Sequence, residues 1–177
     1  MKKYLSFLFV LLLLIGAGCL IVRNSMSPAP AAETAELPFS VLFLDVGQGD
    51  SALVRCGDHA MLIDGGGRES SQKLYAVLKE EGITHLELVI ASHPHEDHTG
   101  GLDAVFRRCT VNRLLTPTVS GGRARFQSLL RDAGEAGTLV SIPQAGEHFS
   151  LGDASVELLG CNTGPTENAA SIVAKVR

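Results

Sequence analysis

Basic residues are in short supply in this chain of 177 residues. Fifteen Lys and Arg face 19 Asp and Glu, for a net charge of −4 with His neutral. Three of the bases, Lys2, Lys3 and Arg23, flank an apolar N-terminal run, so the rest of the chain keeps 12 bases against all 19 acids. That balance excludes a bulk electrostatic hold on a nucleic-acid backbone, and any nucleic-acid role must rest on a local site. Cysteine is sparse as well. Cys56, Cys109 and Cys161 form an odd set, each in or beside an apolar stretch, which reads as small buried hydrophobes. There is no Ser, Cys or Lys nucleophile motif and no internal repeat. Gly65-Gly66-Gly67 and Gly121-Gly122 are too bare to cradle a phosphate, so no nucleotide cofactor is expected.

Charge is missing altogether from Tyr4 to Val22. An uncharged run of this length approaches the roughly 20 residues that cross a bilayer as a helix. It exceeds the roughly 7–15 apolar residues of a cleaved signal. Residues 1–22 therefore read as a membrane anchor or signal sequence, with Lys2 and Lys3 keeping the N-terminus inside and the rest exported. Ala29-Pro30-Ala31 has the small–x–small form of a cleavage site, which would make the protein secreted instead. Cys19 is poorly placed for lipidation, because Gly16 stands where an aliphatic residue is wanted. Residues 23–38 are a Pro/Ala-rich linker without periodicity. The folded domain is expected over 39–177.

From Ser40 onward short apolar runs dominate. Strands are predicted at Ser40–Val46, Ala52–Cys56 and Ala60–Ile63, with Gly57-Asp58 as a two-residue hairpin turn. Ser71–Glu81 has helical periodicity, with Leu74, Val77 and Leu78 on one stripe and Gly82 closing it. Leu86–Ala91 reads as a buried strand, Gly101–Arg108 as a short helix and Arg113–Thr116 as a strand. Arg123–Ala133 reads as a helix with Phe126, Leu129 and Leu130 on its apolar stripe. Strands at Leu139–Ile142, Ser155–Leu159 and Ile172–Val176 follow. The mixture predicts an α/β domain built on a helix-covered sheet.

One stretch carries chemistry: Ser92-His93-Pro94-His95-Glu96-Asp97-His98-Thr99-Gly100-Gly101. It follows the buried strand directly, so a rigid element would hold its side chains while the turn leaves their tips accessible. Imidazoles with a carboxylate suit a divalent transition metal. His93 and His95 are two apart and project to one side of an extended backbone. Asp97 keeps that parity and His98 breaks it, a spacing that serves two neighbouring metals. The bland alternative is a polar loop in which Asp97 caps the following helix, but a cap needs one polar residue and not four. His148, alone after this stretch, reads as a surface residue in a loop, and Asp153 in Leu151-Gly152-Asp153 reads as a turn.

His93-Pro94-His95-Glu96-Asp97-His98 resembles the metal-binding signature of metallo-β-lactamase-fold hydrolases. Leu44-Asp45-Val46-Gly47-Gln48-Gly49-Asp50-Ser51 is similar to the opening of the hydrolase domain of ComEC-type competence proteins. Leu62-Ile63-Asp64-Gly65-Gly66 and Asn168-x-x-Ser171-Ile172-Val173 are similar to later parts of that domain. The resemblance implies an αββα sandwich and two divalent ions, zinc or manganese. His93 and His95 would hold the first ion, and Asp97 and His98 the second, with Asp97 also serving as a catalytic carboxylate. Asp64 would orient the ligands from behind. Gly47, Gly49 and Asp50 would form a tight loop near the site. The implied activity is metal-assisted hydrolysis of a phosphodiester such as nucleic acid outside the cytoplasm, with DNA a partner through the resemblance alone. The alternatives are a non-catalytic metal-binding or interaction module at the cell surface, and a hydrolase of another ester or lactam. The family adds a third His, a bridging Asp and a final His. Asn168 stands about where the third His would fall, and the domain is expected to be incomplete at its C-terminus.

Overall fold

The computed structural model describes residues 39–119, 124–161 and 164–177. The described residues all belong to one compact unit, Leu37–Arg177. The expected anchor and linker at 1–38 lie outside the described residues. Among the described residues no helix is long and apolar enough to cross a membrane.

Two sheets form the frame. The larger has six strands in chain order: β1 (Ser40–Phe43), β2 (Ala52–Cys56), β3 (His59–Ile63), β4 (His85–Ile90), β5 (Thr110–Leu115) and β6 (Leu139–Ser141). β1, β2 and β3 pair antiparallel, and β3 through β6 pair parallel. The smaller sheet is antiparallel: β7 (His148–Leu151), β8 (Ala154–Gly160) and β9 (Val173–Val176). Four helices lie between strands: α1 (Ser71–Glu80), α2 (Glu96–Thr99), α3 (Asp103–Arg108) and α4 (Ala124–Glu135).

The large sheet is the middle layer, which explains its near-continuous apolar strands. Alternate residues of β3 serve opposite cores. Ala60 and Leu62 join Leu74 and Leu78 of α1, Ala104 and Val105 of α3, and Phe126 and Leu129 of α4. Met61 joins Leu88 and Ile90 of β4 with Leu151, Val156 and Leu158 of the small sheet. The result is a helix layer, a mixed sheet and a second sheet.

Several elements differ from expectation in detail. β1 stops at Phe43, because Leu44 already enters the glycine-rich turn and is tied back by its N–H to the Ser51 carbonyl at 2.9 Å. Val77 and Leu130 are only half-buried, so each helix stripe is narrower than its periodicity suggests. The short strand β7 was not anticipated. His148 opens it, exposed, and Gly152-Asp153 turns it into β8. The single-turn helix α2 was likewise unanticipated, lying inside the histidine motif itself.

Candidate metal centre

The topology brings three segments to one place. β3 and β4 are parallel neighbours with Ile63 opposite Ile90, so Asp64 and Ser92 emerge side by side at the carboxyl ends of two strands. That is where open α/β sheets ordinarily place their ligands. The Asp64 N–H donates to the Ile90 carbonyl at 2.8 Å, Gly65 N–H to the His98 carbonyl at 2.7 Å, and Gly66 N–H to the Asp50 carbonyl at 2.9 Å. Backbone alone thus ties the 45–51 turn, the 64–67 turn and the histidine motif together.

Asp64 organises the side chains. It is buried and holds a φ of +54°, the one positive φ outside glycine among the described residues. Such a conformation is tolerated by Asp better than by most residues and tends to be kept where function needs it. Its Oδ1 accepts from Ser92 N–H at 2.7 Å, and its Oδ2 from Ser92 Oγ at 2.6 Å and His98 Nδ1 at 2.8 Å. Three donors offset the cost of burying this carboxylate.

Proton positions follow from the donor count. Ser92 has a single hydroxyl proton, given to Asp64, so its oxygen must accept the proton of His93 Nδ1 at 3.0 Å. His98 Nδ1 likewise donates to a carboxylate that can only accept. In their neutral forms His93 and His98 therefore both present a bare Nε2. His95 Nε2 lies 2.8 Å from Glu167 Oε2. The three rings cluster, with centroids 4.6 Å apart for His93 and His95 and 4.1 Å for His93 and His98.

Burial, helped by the neighbouring His98, pushes the His93 pKa down and favours the neutral imidazole that a metal requires. The Asp64 hydrogen bond holds the His98 pKa up against the opposing effect of burial. Burial raises the Asp97 carboxyl, but its own backbone N–H, His98, Gln48 and His95 together outweigh it and hold the pKa down. Asp97 thus stands ionised.

The glycine-rich turn presses on the motif. Gly47 takes a φ of +72° and Gly49 a φ of +111°. A Cβ on Gly49 would lie 1.8 Å from the Asp97 carbonyl oxygen, so that approach requires glycine. Asp50 is exposed, with Oδ2 3.9 Å from His98 Nδ1. Beside Asp97 opens a cleft of about 430 Å³ lined by Gln48, Gly67, Glu69, Glu96 and Asp97.

The structure therefore gathers His93, His95, Asp97, His98, Asp64, Gly49 and Asp50 at one strand end. Among the described residues, no group of three or more His, Cys, Asp or Glu side chains is already set at ion-holding geometry. The donor chemistry nonetheless fits a divalent ion, since neutral His93 and His98 offer Nε2 beside His95 and the Asp97 carboxylate, whose pKa is held down. Ser92 and Gln48 lie inside the motifs read from the sequence but had no role there, and Glu167 was not singled out. Glu167 adjoins Asn168, so adjacency was the only signal available for it. The turn at Asn168 does reach the site, because Ile172 N–H donates to the Ser92 carbonyl at 2.9 Å.

Residues 44–120 match the family model described as the metallo-beta-lactamase superfamily. That stretch is similar to a metallo-beta-lactamase domain. Solved metallo-beta-lactamases share its fold. The Rm3 enzyme aligns with a TM-score of 0.55 at 19% identity, over 80% of this chain and 55% of that one. MEM-A1, a subclass B3 enzyme from a soil metagenome library, aligns with a TM-score of 0.56 at 18% identity, over 80% and 56%. ComE operon protein 3 of Bacillus subtilis (strain 168) is 25% identical over 134 residues, 66% of this chain and 17% of that protein. The chain thus spans little more than half the length of the solved enzymes and a small part of the Bacillus protein.

Proposed function

We propose that this domain is a metal-dependent hydrolase of ComEC-like type, acting on a phosphodiester in nucleic acid outside the cytoplasm. One observation carries the reading: Asp64 and Ser92 hold His98 and His93 by Nδ1, so that two imidazoles offer bare Nε2 atoms beside His95 and the ionised Asp97. Zinc or manganese suits that donor set, with His93 and His95 toward one ion and Asp97 and His98 toward a second. When bound, such ions lower the pKa of water and neutralise charge developing on the substrate. The chain's own residues supply the framework. Asp64 and Ser92 fix ring orientation, Gly49 lets the 45–51 turn close on Asp97, and Gln48 holds the Asp97 carboxylate. Export rests on the charge-free Tyr4–Val22 run behind Lys2 and Lys3.

A second reading is favoured by the cleft, where Glu69, Glu96 and Asp97 together repel an anionic substrate. It makes the domain a hydrolase of a neutral ester or lactam, or a non-catalytic metal-binding module. Assays of the detergent-solubilised full chain with zinc or manganese separate these. The expected outcome is turnover of bis(4-nitrophenyl) phosphate or short DNA, abolished in the His93→Ala/His95→Ala double variant. Turnover of 4-nitrophenyl acetate, a neutral ester, alone would refute the phosphodiester substrate. Metal binding without any turnover would refute the hydrolase.

A further inference from the structure

We propose that β1 is a membrane-docking edge: Phe39, Val41, Leu42 and Phe43 rest on the surface of a lipid bilayer. The inference rests on the reading of residues 1–22 as an anchor. Among the described residues β1 pairs only with β2 and forms one edge of the large sheet. Every residue of the strand is exposed, and so is Phe39 just before it. From Phe39 to Leu44 there is no charged side chain and no proline. Natural sheet edges commonly use charge or proline to keep other surfaces away, and this one has neither. Val41 and Phe43 lie two apart, so both project from one face of the strand. Val54, opposite Val41 one strand further in, is buried. On this side of the sheet the open apolar surface therefore belongs to the edge strand.

The length of chain before β1 selects the occupant. Residues 23–38 are all that separates the charge-free Tyr4–Val22 run from Phe39. Such a stretch spans at most about 55 Å even when fully extended, little more than the width of a domain of this size. A bilayer that holds Tyr4–Val22 is then the apolar surface that β1 meets at high local concentration. A second copy of the chain must be met by diffusion. Charge decides the kind of contact. With 12 bases against 19 acids outside residues 1–23, the domain has no net attraction for anionic headgroups, so docking rests on the apolar side chains. The unpaired N–H and C=O groups along the edge keep the strand at the interface, where water and headgroups satisfy them, and out of the hydrocarbon core.

The chain contains no tryptophan, so a single introduced one reports alone. Phe43→Trp and Leu139→Trp place it on opposite edge strands of the large sheet, at residues 79% and 53% exposed. The full chain carrying either is reconstituted into phosphatidylcholine vesicles, with and without brominated acyl chains. Phe43→Trp should emit at shorter wavelength than Leu139→Trp and lose most of its emission to the brominated lipid, equally in low and high salt. Leu139→Trp should lose little. Adding Val41→Asp to Phe43→Trp should abolish the quenching while the chain still floats with the vesicles. Phe43→Trp left unquenched on floating vesicles, or both reporters quenched alike, would overturn the docking edge and leave the anchor standing. Emission at short wavelength without quenching would assign the edge to a second copy of the chain and refute the bilayer. A chain that does not float with the vesicles would overturn the anchor and the docking with it.

Discussion

Asp64 touches more of the site than any of the four residues expected to hold metal. Its carboxylate takes three hydrogen bonds, its backbone joins β3 to β4, and its carbonyl accepts from Ser51 Oγ at 3.1 Å. The Asp-Gly-Gly sequence could mark an ordinary turn, and only the fold distinguishes the two cases. The histidine motif is different. Its residues are contiguous, so local spacing alone exposes them. The role of Ser92 was not legible, because it arises from pairing across strands with Asp64, which no local spacing encodes. Among the described residues the cysteines behave as their apolar settings suggest: Cys56, Cys109 and Cys161 are buried and form no disulfide. Cys109 donates to the Ile83 carbonyl at 3.5 Å, and burial raises its thiol from 9.0 to about 11. Because the folded-state pKa is raised, the fold favours the protonated thiol. The associated stability is complete below about pH 9 and is lost as pH climbs toward 11. Urea midpoints from pH 8 to 11 should fall less steeply in Cys109→Ala than in the wild type. Equal slopes would show that this thiol is not responsible.

The elements were largely legible because most of them bury one clean face or two. β4 is apolar almost throughout since it feeds both cores. The two-residue turn at Gly57-Asp58 joins strands whose register places Cys56 opposite His59. β7 was missed because His148-Phe149-Ser150-Leu151 buries only Leu151, leaving too weak an alternation over four residues. α4 owes its place to packing more than to propensity. Phe126 is fully buried there against the sheet through the core it shares with Leu62, Leu114 and Leu129. Phe126→Ala should cost about 3–5 kcal/mol, the usual range for a buried Phe whose cavity cannot collapse. Chemical denaturation should register the full loss. A change below 1 kcal/mol would mean that α4 is not bound to the sheet as described.

At the scale of the whole molecule, one sheet serves two cores, and its parallel half ends in a shared rim. Helices cover one face of the large sheet, and the small sheet covers the other. On the small sheet Leu159 and Val173 are exposed, and among the described residues no helix lies over them. The αββα expectation is therefore met by three layers, in a chain spanning about 55% of the solved enzymes' length. The rim gathers His93 and His95 from beyond β4, Asp97 and His98 from α2, and the Asp64 carboxylate from beyond β3. The reading as a metal centre is tested most directly by metal content. The full chain should be equilibrated with limiting zinc or manganese, dialysed, and its bound metal measured beside His93→Ala/His95→Ala. Bound metal in the wild type, absent from the double variant while its fold is retained by circular dichroism, is the predicted result. Equal metal in both proteins, or none in either, would contradict it.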